Sequence, residues 1–137
     1  MLDFKAIFRA SFERVTNEEL HDRFFERFYE RFIGSSASVA AKFEGTDMER
    51  QRAMLRESLT ELLDFCSNLQ TNPYIVTLAR IHGSRGRDIA EQMFAQWLDG
   101  LLATVQELDP EYNDHVRMAW RLVLLPGIEF MKYFRDR

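Results

Sequence analysis

Apolar side chains recur every three or four residues along almost the whole chain, and the alternating period of a strand is scarce. Phe4, Phe8, Phe12 and Val15 form one stripe. Leu20, Phe24, Phe28, Tyr29 and Phe32 form a second, which the stretch TNEE opens with Thr16 as expected cap and Glu19 three residues on. Gly34 and the serines after it end that helix, and SASVAAKF predicts a short third one. Thr46 and Glu49 form another capping box, at the head of a long helix that runs to about Cys66. Its apolar side reads Met48, Gln51, Leu55, Leu59, Leu62, Cys66. A further helix starts with Asn72 as cap and Pro73 at the first helical position, and Gly83 and Gly86 close it. Asp88 is expected to open the next, with Ile89, Phe94, Trp97, Leu101 and Val105 along one side. The last helix carries Val116, Trp120, Val123, Gly127, Met131 and Phe134, and Pro126 inside it predicts a kink or a break. Seven or eight helices of unequal length, with no repeat and no long linker, predict an irregular all-α fold in one domain, 1–137.

Composition narrows the class. Of 137 residues, 46% are hydrophobic, enough for a sizeable core. No run of about 18 apolar residues appears, so no membrane-spanning helix is expected. The N-terminus has no signal-peptide stretch, and the single Cys66 suits a reducing compartment; a soluble cytoplasmic protein is the expectation. The net charge of −4 is spread among both signs, so no nucleic-acid or membrane partner is expected. There is no P-loop, GxGxxG or Ser–His–Asp pattern to suggest familiar catalysis.

Three polar residues interrupt the apolar faces. Gln51 sits one turn before Leu55, Tyr29 brings a phenol to the second stripe, and His82 lies one turn after Leu78 beside Ile81. Each has an ordinary reading: a hydrogen-bonded core histidine, an amide on a buried water, a large ring with one wet end. Only His21, His82 and His115 are present, too far apart for a multi-histidine metal site. Haem needs just one axial imidazole from the protein, in a large, flat, apolar pocket, which makes sense of twelve phenylalanines. A gas on the other iron face then needs hydrogen-bond donors, and Tyr29 and Gln51 are of that kind.

At these residues the chain resembles the globin family, in particular the single-domain bacterial globins and the haem domain of flavohaemoglobins. FYERF (28–32) is similar to the motif that delivers a distal tyrosine, here Tyr29. KFEGTDMERQRAML (42–55) resembles the turn with the haem-stacking phenylalanine, here Phe43, followed by the distal helix with Gln51 and Leu55. LARIHGSRG (78–86) resembles the proximal helix, with His82 as iron ligand, 31 residues beyond Gln51. The resemblance implies a globin fold around haem b (iron protoporphyrin IX). It implies a pocket of Phe28, Tyr29, Phe32, Phe43, Gln51, Leu55, Leu78, Ile81, His82, Arg85, Ile89, Phe94 and Trp97. Tyr29, Gln51 and Leu55 would meet the gas. The second ring nitrogen of His82 is expected to donate to a backbone carbonyl, that of Leu78. Arg85 is a candidate for a haem propionate.

The implied function is reversible binding of O₂ and other diatomic gases, for scavenging, delivery, or NO detoxification. Flavohaemoglobins continue into flavin and nicotinamide domains, and this chain ends at Arg137, so an external electron donor or reductase is expected. Their proximal tyrosine aligns with Phe94, and Glu129 does not fall on their acidic position, so no peroxidase-like proximal network is implied. A haem-based gas sensor, or a globin-like regulatory or interaction module without an enzymatic role, is the alternative.

Overall fold

The structure is a computed structural model that describes residues 2–69, 72–83 and 89–134, without the side chain of residue 21. Seven helices appear among the described residues, and no strand: α1 (Phe4–Val15), α2 (His21–Gly34), α3 (Ala37–Lys42), α4 (Met48–Asn68), α5 (Pro73–His82), α6 (Glu91–Leu108) and α7 (Asp114–Phe134). None is long and apolar enough to cross a membrane.

Local chemistry fixes the helix ends, not always with the residues the pattern suggested. Asn72 caps α5 as expected, with Pro73 in its first turn, and Ser36 caps α3. Thr16 does not cap α2. Its hydroxyl donates to the Phe12 carbonyl at 2.6 Å and closes α1, while Asn17 Oδ1 accepts the amides of Glu19 and Leu20 at 3.1 and 3.0 Å. An asparagine that folds back on its own turn outcompetes the hydroxyl before it. Asp47, not Thr46, caps α4, accepting from the Arg50 amide at 3.3 Å; a carboxylate gains from the helix dipole as well. The helix α6 starts at Glu91 after the extended cap Ala90, so Ile89 precedes it. Asp88 and Gly86 lie outside the described residues.

The core cluster draws on all seven helices. The helix α7 packs against α1, α4 and α5, and α2 lies on α6 and α3. Pro126 does not break α7, which runs through to Phe134. The ring costs one helical hydrogen bond, but Val123, Leu124, Ile128 and Met131 on either side are buried and hold the axis. Gly127, next to it, lets α7 close on α4: a Cβ there would lie 2.0 Å from Leu62 Cδ2. At the other crossing, Gly100 admits the Phe28 ring, 3.3 Å from where a Cβ would stand.

One buried polar cluster locks α1 to the α6–α7 turn. Trp120 Nε1 donates to Ser11 Oγ at 2.9 Å, and that hydroxyl donates to Asp109 Oδ2 at 2.6 Å. Arg14 grips both carboxylate oxygens, at 2.7 and 2.9 Å, and the Glu111 amide adds a bond at 2.9 Å. Burial by itself would raise the Asp109 carboxyl, but the bonds from Arg14, Ser11 and the Glu111 amide outweigh it and hold it below the ordinary carboxylate value. A carboxylate depressed in the fold contributes stability above its unfolded value, and that contribution is lost as pH falls through the folded one. Asp109→Asn is therefore expected to cost about 1.5–3 kcal/mol near neutral pH. It should also flatten the loss of stability below about pH 4, as read from urea unfolding at a series of pH values.

Candidate functional site: an apolar cavity between α2, α4, α5 and α6

Between these helices lies a cavity with about 990 Å³ of empty space, counting the solvent at its mouth. Tyr29 and Phe32 enter from α2, and Phe43 from the end of α3. Gln51, Met54, Leu55, Ser58 and Leu62 descend from α4, facing Leu78, Ile81 and His82 on α5. Ile89, Met93, Phe94 and Trp97 form another wall, with Val39, Lys42 and Met131 completing the lining.

His82 is the last residue of α5, half-buried. Its Nδ1 lies 2.7 Å from the Leu78 carbonyl oxygen. A carbonyl only accepts, so Nδ1 carries the proton and Nε2 is the basic nitrogen. Past the helix, the Ile89 amide donates to the His82 carbonyl at 3.0 Å, which ties the end of α5 to the approach of α6.

Tyr29 is only 5% exposed, its ring set edge-on to Phe28 at 4.9 Å and to Phe43 at 5.6 Å. Its hydroxyl donates to the Gln51 carbonyl at 3.4 Å and accepts from Gln51 Nε2 at 3.3 Å. These are long bonds. Gln51, expected to offer its amide as a second donor, gives one of its two N–H groups to the Tyr29 oxygen here. The two polar groups form a pair, and the ring contacts decide where it stands.

Most of the residues singled out from sequence line the cavity, with two exceptions. Phe28 is fully buried behind it, against Tyr29, Phe32 and Trp97, and props the wall without reaching the space. Arg85 lies outside the described residues. Ile81 is in the lining but 39% exposed, so it stands at the mouth. Glu129, exposed on α7, pairs with Lys132 at 3.6 Å, away from the cavity.

Several lining residues were not singled out. Met54 and Ser58 follow Gln51 and Leu55 by three, and Leu62 follows Leu55 by seven, so helical period alone could have found them. Met131 needed the path of α7. A polar strap was missed as well. The Ser58 hydroxyl donates to the Met54 carbonyl at 2.8 Å, so Tyr74 must donate in the 3.1 Å Tyr74–Ser58 bond. Beside it, Asn72 Nδ2 donates to Glu61 at 3.2 Å and Asp64 at 3.3 Å while its Oδ1 caps α5. Together they pin the start of α5 onto α4 and set the spacing of two cavity walls.

No family model matches the chain, and no curated protein does. Among solved structures, it is similar to a Pseudomonas aeruginosa PAO1 protein described as structurally highly homologous to a human haemoglobin. The two share 29% identity over 98% of this chain and 100% of that one, with a TM-score of 0.91. The architecture is a haemoglobin-like globin fold.

Burial, opposed by the bond to Ser58, pushes the Tyr74 phenol above its ordinary value. A raised pKa favours the protonated fold, a contribution present below the unfolded value and lost as pH rises above about 10. Tyr74→Phe should lower stability near neutral pH by about 1 kcal/mol. It should also remove part of the alkaline loss, which thermal melts between neutral and alkaline pH would read.

Proposed function

We propose that this chain is a haem-binding globin that takes up O₂, and with it NO and CO, reversibly, and that it resembles the single-domain bacterial globins and the haem domain of flavohaemoglobins. A globin fold implies a haem cofactor, and haem b is the form we assign. The observation that carries the reading is the placement of His82 in the lining of a large apolar cavity, its Nδ1 held 2.7 Å from the Leu78 carbonyl, with the Tyr29–Gln51 pair in the same lining.

The residues fit the group. No cluster of three or more His, Cys, Asp or Glu is placed to hold a metal among the described residues, so a metal here needs a carrier that brings its own ligands. Porphyrin does, and it asks for one imidazole and apolar walls. Phe43, Leu55, Leu78 and Phe94 would pack on the macrocycle, and half-buried Lys42 would face its carboxylates at the mouth. When bound, the haem supplies an iron with one position for a diatomic gas.

The chain's own part is binding and polarity. The Leu78 carbonyl fixes the ring of His82 and makes its Nε2 a better donor. Tyr29 is held by Phe28 and Phe43, so its hydroxyl can turn from the Gln51 carbonyl to a polarised gas without moving the ring. Dry walls strengthen such a bond. Gln51 acts through Tyr29: by donating to the phenol oxygen it makes the phenol a stronger donor. Such a pair suits scavenging or delivery of O₂, or NO removal with electrons supplied by a separate reductase.

His82→Ala should abolish stable haem retention or leave a site that added imidazole restores, while His115→Ala, on an exposed stretch of α7, leaves the Soret band unchanged. A normal histidine-ligated spectrum from His82→Ala would rule out the assignment. On the other wall, Tyr29→Phe should speed O₂ dissociation roughly 10- to 100-fold, as a bond of ~1.5–3 kcal/mol to a partly charged partner requires. CO, less polarised, should respond much less. Because Gln51 works through the phenol, Gln51→Leu should speed O₂ release in the wild-type background but change it less than about twofold in Tyr29→Phe. Stopped-flow rates on the four proteins test this, and additive effects would make Gln51 an independent donor.

A further inference from the structure

The start of α1, the end of α4 and the middle of α7 frame a cleft on the surface, with about 910 Å³ of space, open solvent included. Its apolar lining is Leu2, Phe4, Cys66, Leu122 and Val123. Leu2, Leu122 and, one helical turn before it on α7, Met118 are each exposed by 44–49%. These are three of the six large hydrophobic side chains that face solvent among the described residues. A fourth, Leu69, ends α4 three residues past Cys66, in the left-handed conformation (φ 55°) that more often falls to glycine. Single apolar side chains on a surface are ordinary, but several gathered at one cleft mark a contact site.

The rim carries both signs. Asp3 and Lys5 stand in the lining, and Arg9 and Asp64 lie close enough to the Cys66 thiol to act on its charge, as Lys5 does. All four are exposed. Asp3 caps α1 and Asp64 accepts from Asn72, while Lys5 and Arg9 form no ion pair among the described residues. These two cations and two anions cancel, although the chain as a whole carries −4. A lipid surface or a nucleic acid asks for a basic face. A two-fold axis asks for something else: both copies offer the same patch, so acids and bases must stand on it together, beside apolar surface that fits itself.

We infer that this α1–α4–α7 face is where a second copy of the chain docks, in a symmetric dimer about a two-fold axis through the cleft. Leu122 and Met118 of each copy cover the cleft of the other, with Lys5 opposite Asp3 and Arg9 opposite Asp64. A standard interface takes about 800 Å² from each partner, roughly a tenth of the 7975 Å² that this chain exposes. The half-exposed leucines and Met118 supply an apolar centre, and the charges at the rim set the register. The inference is independent of what the interior cavity holds.

Sedimentation equilibrium on the full chain should show a monomer–dimer exchange that weakens as salt is added. Leu122→Glu and Met118→Glu, both on the solvent side of α7, should leave the far-UV circular dichroism unchanged and raise the dimer Kd about tenfold or more. Charge reversal tests the symmetry. Arg9→Glu sets acid against acid across the axis, and Asp64→Lys sets base against base, so each variant should self-associate less than the wild type. Mixed together, the two variants should pair with each other better than either does with itself, because both charge contacts are then restored. A chain that stays monomeric at millimolar concentration would overturn the inference, as would a dimer that all four substitutions leave unchanged. Monomers that sediment with phosphatidylglycerol vesicles, and lose this with Leu122→Glu, would give the face to a lipid surface and overturn it too.

Discussion

Everything in this structure depends on keeping a hole in an α-helical core. Packed interiors close over empty space, because each unmade contact costs dispersion energy and unfilled volume is destabilising. The chain resists closure by holding the surrounding helices at fixed distances. Gly127 lets α7 and α4 meet at Leu62, and Gly100 lets α2 and α6 meet over Phe28. Tight crossings at these points leave the remaining faces of α2, α4 and α6 apart, and the cavity occupies the gap.

Polar groups complete the frame. Among the described residues, no buried side-chain nitrogen or oxygen lacks a hydrogen-bond partner. Tyr74 and Asn72 fasten the start of α5 to α4, and the Leu78 carbonyl holds the ring at its end. The proximity of His82 to the cavity is thus set at both ends of one ten-residue helix. The Asp109 cluster performs a similar task outside the cavity lining, where burial of a carboxylate is tolerated because Arg14, Ser11 and a backbone amide all donate to it. By contrast, the two bonds between Tyr29 and Gln51 are long, at 3.3 and 3.4 Å.

The sequence by itself determined the helices and most of the cavity wall. Stripes at helical period mark Phe32, Leu55, Leu78, Phe94 and Trp97 as inward, because burying an apolar face is what stabilises a helix. The same period makes Tyr29, Gln51 and His82 conspicuous, since polar atoms on such faces need a reason. Helix starts were less legible. Thr16 and Asn17, or Thr46 and Asp47, are adjacent side chains able to make the same kind of bond, and a shift of one residue decides between them.

Only the tertiary structure decided which wall residues reach the space and what their polar atoms do. Phe28 and Tyr29 are neighbours on one helix, yet Phe28 is packed out of the cavity against Gly100 of α6 and Tyr29 lines it. Gln51 and Tyr29 are 22 residues apart, and no local rule says that the amide donates to the phenol. Ser11, Asp109 and Trp120 span nearly the length of the chain, and nothing in the local pattern joins them. Periodicity reports the direction of a side chain relative to its own helix. The angle and distance at which two helices cross determine what that side chain meets, and those are properties of the packed molecule.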